Sequence, residues 1–145
     1  MADRDFRGTI RADAAPAQPP LVLIVEDNPI LSMDLAELLA EWNYAVCGIA
    51  HSGSAALALA ARCKPALALV DVGLGGGMDG IDLAVLLRRD FALPSIIVTG
   101  ALDEELAERA KPARPVGFLS KPYMPGELEK VLREAWGPSL QGVTS

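Results

Sequence analysis

Five short apolar runs recur along the chain, at Leu21 to Val25, Ala45 to Ala50, Ala66 to Asp71, Ser95 to Thr99 and Val116 to Ser120, separated by segments with a longer apolar spacing. Short continuous apolar runs bounded by turn formers read as buried strands, and residues recurring every three or four positions read as the inner face of a helix. The clearest helix follows the first run. Asn28 suits its N-cap and Pro29 its first turn, and Leu31, Leu35, Leu38, Leu39 and Trp42 fall on one predicted buried face. After the second run, Ser52, Gly53 and Ser54 lead into an alanine-rich helix that ends near Cys63, ahead of Lys64 and Pro65. The pattern predicts a third helix over Gly80 to Asp90 and a short fourth over Asp103 to Lys111, with Asp103 as its cap and Pro112 and Pro115 barring extension. Leu128, Val131, Leu132 and Ala135 form the stripe of a fifth helix, which Gly137 and Pro138 are expected to close. Five strands alternating with five helices predict an α/β fold with a doubly wound, five-stranded parallel sheet.

The domain should span residues 21–137. Before it, residues 1–20 mix charges with Ala14, Ala15, Pro16, Ala17, Pro19 and Pro20 and read as a disordered arm; residues 138–145 read as a C-terminal tail. A length of 145 residues suits one domain, and with only three Phe, two Trp and two Tyr the core must be filled by Leu, Val, Ile and Ala. The net charge of −6 and the lack of a basic cluster argue against nucleic acid as a direct partner. Cys47, in a strand, and Cys63, at a helix end, lack the close spacing of a zinc or redox motif and read as reduced core thiols of a cytoplasmic protein. The first twenty residues lack the apolar run of a secretory signal, and no segment has the apolar length needed to span a membrane.

The strand ends carry the chemistry. Leu21 to Val25 runs into Glu26 and Asp27, the third run ends on Asp71 before the glycine-rich stretch Gly73 to Gly80, the fourth ends on Thr99, and the fifth runs into Lys121 and Pro122. In a parallel sheet these ends lie along one edge, where doubly wound folds place their ligand crevice. Three carboxylates, a hydroxyl and an ammonium should therefore meet. Taken singly, each has a plain explanation: Glu26 and Asp27 favour the dipole of the helix they precede, Thr99 and Gly100 form a turn, and Lys121 sits in a solvated loop. Asp71 is different, because an acid beside a buried strand needs a partner. His51, near the end of the second strand, is read as a loop residue.

From Leu21 to about Trp136 the chain resembles the receiver domain of two-component response regulators. The resemblance rests on Glu26-Asp27, Asp71, Met78-Asp79-Gly80, Thr99 and Lys121-Pro122, in order and at strand ends. It implies the flavodoxin-like (βα)5 receiver fold, with Asp71 accepting a phosphoryl group from a sensor histidine kinase or a histidine phosphotransfer protein. Mg²⁺ is the implied cofactor, held by Glu26, Asp27, Asp71 and the backbone carbonyl of Gly73, while Thr99 and Lys121 bind phosphoryl oxygens. Phe118 stands at the family's switch-aromatic position, with Thr99 as the hydroxyl that moves; taken by itself it reads equally as a core phenylalanine of a buried strand. Such a chain catalyses only its own phosphorylation and dephosphorylation. Gly73 and Ala101, two residues past the acceptor and the hydroxyl, are too small to shield the phosphoryl group, so turnover should be ready.

Two features depart from the family pattern. The loop after the acceptor contains Gly75, Gly76 and Gly77, is one residue longer and lacks the usual proline; the fourth helix is short. That helix belongs, with the fifth strand and fifth helix, to the surface where the family meets downstream proteins or a second copy of the chain. With only residues 138–145 after the fold, a stand-alone receiver is expected, signalling by protein contact or acting as a phosphate sink. The alternatives are a degenerate receiver serving as an unphosphorylated scaffold and, further off, a haloacid-dehalogenase-type phosphatase. The phosphatase needs a second acid two residues after its nucleophile, where this chain has Gly73. A flavin protein of similar topology would need a phosphate-binding loop after the first strand, and none follows.

Overall fold

The computed structural model describes residues 20–75 and 77–144, with side chains as far as residue 136. Its elements are β1 (Leu21–Val25), α1 (Pro29–Glu41), β2 (Ala45–Ala50), α2 (Gly53–Cys63), β3 (Leu67–Asp71), α3 (Gly80–Phe91), β4 (Ser95–Thr99), α4 (Glu104–Ala110), a 3₁₀ turn (Lys111–Ala113), β5 (Gly117–Ser120) and α5 (Pro125–Thr144). All strand pairs are parallel, in the order β2-β1-β3-β4-β5. The doubly wound α/β sheet expected from the alternating pattern is therefore observed. The arm expected over residues 1–20 lies, apart from Pro20, outside the described residues.

Alternation along the central strands divides the core into layers. Val22 and Ile24 face Leu35 and Leu39 of α1 and Leu128 and Leu132 of α5, whereas Leu23 and Val25 face Ala56 and Ala60 of α2 and Leu83 and Leu87 of α3. A third cluster joins Ile81 and Ala84 of α3 to Ile97, Ala110 and Ala113, with Phe118 packed against it. Because the helices cover both faces, β3 and β4 are buried along their whole length, which is why they read as unbroken apolar runs.

The helix starts follow the local chemistry. The Asn28 side chain accepts from the N–H groups of Ile30 and Leu31, and Ser52, Asp79 and Asp103 cap α2, α3 and α4 in the same way. The short α4 is tied down from outside: Arg88 of α3 donates to the carbonyl oxygens of Ala113 at 3.0 Å and Arg114 at 2.6 Å, which supplies partners at the end of the 3₁₀ turn.

Two expectations are corrected. Leu31 is 45% exposed and does not join the buried face of α1, which consists of Ser32, Leu35 and Leu39. The first turn of α1 stands at the carboxyl edge of the sheet, past the end of the strand it would pack on, and the Ser32 hydroxyl donates back to the Pro29 carbonyl within that turn. The second concerns α5, which does not close at Gly137 and Pro138 but continues to Thr144, taking in most of the expected tail. Proline removes one backbone donor from a helix yet has a helical φ, and glycine ends a helix only where the chain turns into the left-handed region, so the pair weakens a helix without forbidding it.

Candidate functional site

The chain leaves β1 through α1 on one face of the sheet and returns to β3 through α2 on the other, so a crevice opens between the carboxyl ends of β1 and β3. The hydrogen-bonded ladder continues past the strand ends and holds the residues there. Glu26 N–H donates to the Ala50 carbonyl at 3.0 Å, Val72 N–H to Val98 at 2.9 Å and Lys121 N–H to Thr99 at 2.8 Å. The Lys121–Pro122 peptide is cis.

One cavity of about 540 Å³ is lined by Glu26, Asp27, Asn28, Leu31, Asp71, Val72, Gly73, Thr99, Gly100, Ala101 and Lys121. Six of the predicted site residues are therefore together: Glu26, Asp27, Asp71, Gly73, Thr99 and Lys121. Oxygen atoms of Glu26, Asp27 and Asp71 lie within 4.8 Å of one another. Asp71 is buried, and its Oδ1 accepts from Lys121 Nζ at 3.1 Å and from the Gly73 N–H at 3.2 Å. Lys121 Nζ is also 3.8 Å from Glu26 Oε1. Thr99 is buried, and its hydroxyl oxygen accepts from the Ala101 N–H at 3.1 Å.

The electrostatics favour a cation. Burial pushes the Glu26 carboxyl above its ordinary range; the Asn28 N–H, donating to Oε2 at 3.0 Å, works against this, the neighbouring Asp71 adds to it and Lys121 opposes it. Three carboxylates face one ammonium, which leaves surplus negative charge in a partly buried pocket. Hard oxygen donors of this kind suit Mg²⁺, a small cation that takes a few carboxylates and keeps several waters. The donor set fits.

Phe118 lies apart from the cavity, half-buried on β5 against the cluster of Ile97 and Ala110. His51 is exposed, and its Nδ1 is 2.8 Å from the Glu26 carbonyl oxygen, outside the cavity lining. Three functional features escaped the sequence reading. Asn28 was legible as a helix cap, but its backbone N–H also fixes Glu26. Gly80 stands so close to β3 that a Cβ would collide with the Asp71 carbonyl oxygen, which explains glycine beside the Asp79 cap. Tyr123 faces the site's negative charge; burial first, then Glu26 and Asp71, raise its phenol above the ordinary range.

The match to known proteins is direct. A family model described as the response regulator receiver domain covers residues 22–133. The chain belongs to the response regulator receiver domain family. The transcriptional regulatory protein PdtaR of Mycobacterium tuberculosis is 38% identical over 116 residues, a match covering 80% of this chain and 56% of PdtaR. The phyllosphere-induced regulator PhyR of Methylorubrum extorquens is 32% identical over 115 residues, covering 79% of this chain and 42% of PhyR. The chain thus spans about half the length of the curated relatives it matches. Among solved structures, the signal receiver domain of a modulated diguanylate cyclase from Desulfovibrio desulfuricans G20 superposes with a TM-score of 0.76 at 34% identity, covering 86% of this chain and 99% of that one. No helix among the described residues is long and apolar enough to cross a membrane.

Proposed function

We propose that this receiver domain takes a phosphoryl group onto Asp71 from a phosphohistidine of a sensor histidine kinase or phosphotransfer protein, and signals by changing its protein contacts. The observation that carries this reading is the convergence of Glu26, Asp27 and Asp71 within 4.8 Å beside Lys121, at 3.1 Å from the Asp71 carboxylate, in the cavity that Thr99 also lines. An Asp71 oxygen attacks phosphorus, the phosphorus–nitrogen bond breaks and the imidazole leaves; water later cleaves the acyl phosphate and restores the carboxylate. Glu26, Asp27 and Asp71, with the Gly73 carbonyl, would hold Mg²⁺, which supplies the positive charge that lets one anion approach another. Lys121 exchanges its contact with Asp71 for a phosphoryl oxygen, and the Thr99 hydroxyl gives up the Ala101 N–H to bind another. The chain catalyses only this modification of itself and its reversal, in the cytoplasm where such kinases present their phosphohistidine.

The donor is a protein. An apolar groove of about 470 Å³ runs from the site along α1 and the loop after β5, sharing Glu26, Leu31 and Lys121 with the acceptor cavity and adding Leu38, Tyr123 and Pro125. Ile30, Met33 and Met124 are exposed nearby, an apolar rim that a small phosphodonor does not need. The downstream surface is that of α4, β5 and α5, used toward a protein partner or a second copy of the chain. A smaller cavity lined by Thr99, Ala101, Leu106 and Arg109 separates the hydroxyl from α4, and Phe118 packs where Ala110 ends that helix, so a moving hydroxyl has adjacent packing to change.

Incubation with acetyl phosphate and Mg²⁺ should add one phosphate to the wild type and none to Asp71→Asn. Equal labelling of the variant would remove Asp71 as the acceptor.

A further inference from the structure

The edge strand β2 contains an irregularity whose consequence lies far from the phosphoacceptor. Val22 pairs with Val46 and Leu23 with Gly48, so Cys47 is an extra residue with no partner across the ladder. A bulge re-aims a side chain. In a regular strand Cys47 and Gly48 would point to opposite faces; here both face α2. Cys47 packs against the layer that contains Ala56 and Ala60, and a Cβ on Gly48 would stand 3.0 Å from Leu59 Cδ1. Val46 and Ile49, on either side, pack into the opposite layer. Cys47, next to Val46, thus points at α2, and the bulge turns Gly48 to the same face.

The last residue of α2 is Cys63, whose Sγ lies 3.7 Å from the Cys47 carbonyl oxygen. Both cysteines are free thiols and both are half-buried. Burial, then the charge and hydrogen bond of the adjacent Cys63 thiol, push the Cys47 thiol up to about 11. The Cys63 thiol therefore lies against the Cys47 main chain, on the face of β2 to which the Cys47 side chain points. The edge strand and the end of α2 thus bring the two cysteines together.

We propose that Cys47 and Cys63 form a redox pair, which a low-molecular-weight disulfide converts into an intramolecular disulfide tying β2 to α2. The exchange balances in two steps. Cys63, as thiolate, attacks one sulfur of the small disulfide, releasing one thiol and forming a mixed disulfide; Cys47 gives up its proton and displaces the second thiol as the protein disulfide closes. Two protein thiols are oxidised and one small disulfide is reduced to two thiols. Cys63 acts first because the high proton affinity of Cys47 leaves little of it as thiolate near neutral pH. Closing a loop of this size restricts the unfolded chain, so the oxidised form should melt higher, on the order of 10 °C.

The test uses the whole protein incubated with oxidised glutathione, then analysed by intact mass and by peptide mapping without reduction. The expected product is a monomer that has lost two hydrogens, with a peptide containing Cys47 linked to one containing Cys63, and dithiothreitol should restore both mass and melting temperature. Cys47→Ser should stop at the mixed disulfide on Cys63. Stable glutathione adducts on the wild-type thiols, a link between two chains, or two unmodified thiols at equilibrium would each overturn the proposal. None of these readouts requires a folded variant.

Discussion

Replacing Gly80 by alanine tests whether the end of β3 is held as tightly as the packing implies. The new Cβ would collide with the Asp71 carbonyl oxygen and stand 2.7 Å from Val72 Cα and 2.8 Å from the Asp71 carbonyl carbon. All of these are main-chain atoms. Val72 N–H is bonded to the Val98 carbonyl at 2.9 Å and Gly80 N–H to the Val72 carbonyl at 3.1 Å, so the clash cannot be relieved by turning a side chain. Two effects compete. Alanine is the better helix former by up to about 1 kcal/mol in a helix interior, and Gly80 is the first residue of α3, where less of that gain is realised. Forcing extra volume into a packed site costs about 1–3 kcal/mol, at the upper end when backbone must move. The clash should win by roughly 2 kcal/mol, a fall of about 6–10 °C in melting temperature.

The displaced atoms belong to Asp71, the proposed phosphoacceptor, so labelling by acetyl phosphate should slow under conditions where the variant is still fully folded. Urea unfolding gives the stability and timed labelling gives the rate. Gly126→Ala is the control: Gly126 lies in the first turn of α5 with nothing within 4 Å of an added methyl, and its change should be neutral or slightly stabilising. If Gly80→Ala unfolds within about 0.5 kcal/mol of the wild type, a gap smaller than any overpacking term, the close approach is not a constraint.

Three further outcomes follow from the same geometry. Mg²⁺ should stabilise the unphosphorylated protein by about 1.4 kcal/mol at tenfold over its dissociation constant, seen as a raised melting temperature, and an unmoved midpoint at millimolar metal would mean that the acid cluster is not a metal site. At Asp79, burial opposes ionisation, but the Asp82 N–H and Arg109 outweigh it and hold the carboxyl below its ordinary range, so this contribution is present above the unfolded-state value and lost as the pH falls through the folded one. Asp79→Asn keeps a cap and loses the ion pair; it should cost under about 1 kcal/mol near neutrality, because both partners are partly exposed, with the gap in urea midpoint closing in acid, and a gap independent of pH would contradict the assignment. Thr99→Ala should retain labelling at Asp71 and lose any phosphorylation-dependent association, whereas intact association would move the output away from the hydroxyl.

What was legible in the sequence was local or topological. The apolar runs located the strands to within a residue, and parallel pairing then required Glu26, Asp27, Asp71, Thr99 and Lys121 to share an edge without any knowledge of distances. What was not legible depended on where one element ends against another. Leu31 has the spacing of a buried residue, but periodicity does not say that the sheet stops beneath the first turn of α1. Gly137 and Pro138 are stop signals by propensity, and α5 passes through them. The adjacency of Cys47 and Cys63 depends on where α2 ends against the edge strand, which leaves no mark in composition.

The two sides of the site differ in how firmly they are held, and that difference suggests a direction for the signal. On the α1 side, Leu35 and Leu39 are buried against Val22, Ile24 and Leu128, an apolar layer that moves only at the cost of opening close-packed contacts. Toward α4 the end of the helix is anchored by Ala110 against Ile81, Ala84 and Ile97, but the links nearest Thr99 are polar and partly exposed. Arg109 reaches Asp79 at 2.7 Å and Asp82 at 3.6 Å, and Thr99 is joined to the start of the β4–α4 loop by a single hydrogen bond to Ala101 at 3.1 Å. Exposed ion pairs of this kind are worth at most about 1 kcal/mol. A bound group can shift an equilibrium only by its differential affinity for the two states, and a phosphoryl group that took the Thr99 hydroxyl from Ala101 would need little differential affinity to rearrange these polar links, though more to move the helix end packed at Ala110. The same affinity spent against the α1 layer would move nothing. Under the proposed function, the α1 face would remain a fixed platform for the donor while the polar links toward α4 change, which would separate receiving the phosphoryl group from reporting it within one small domain.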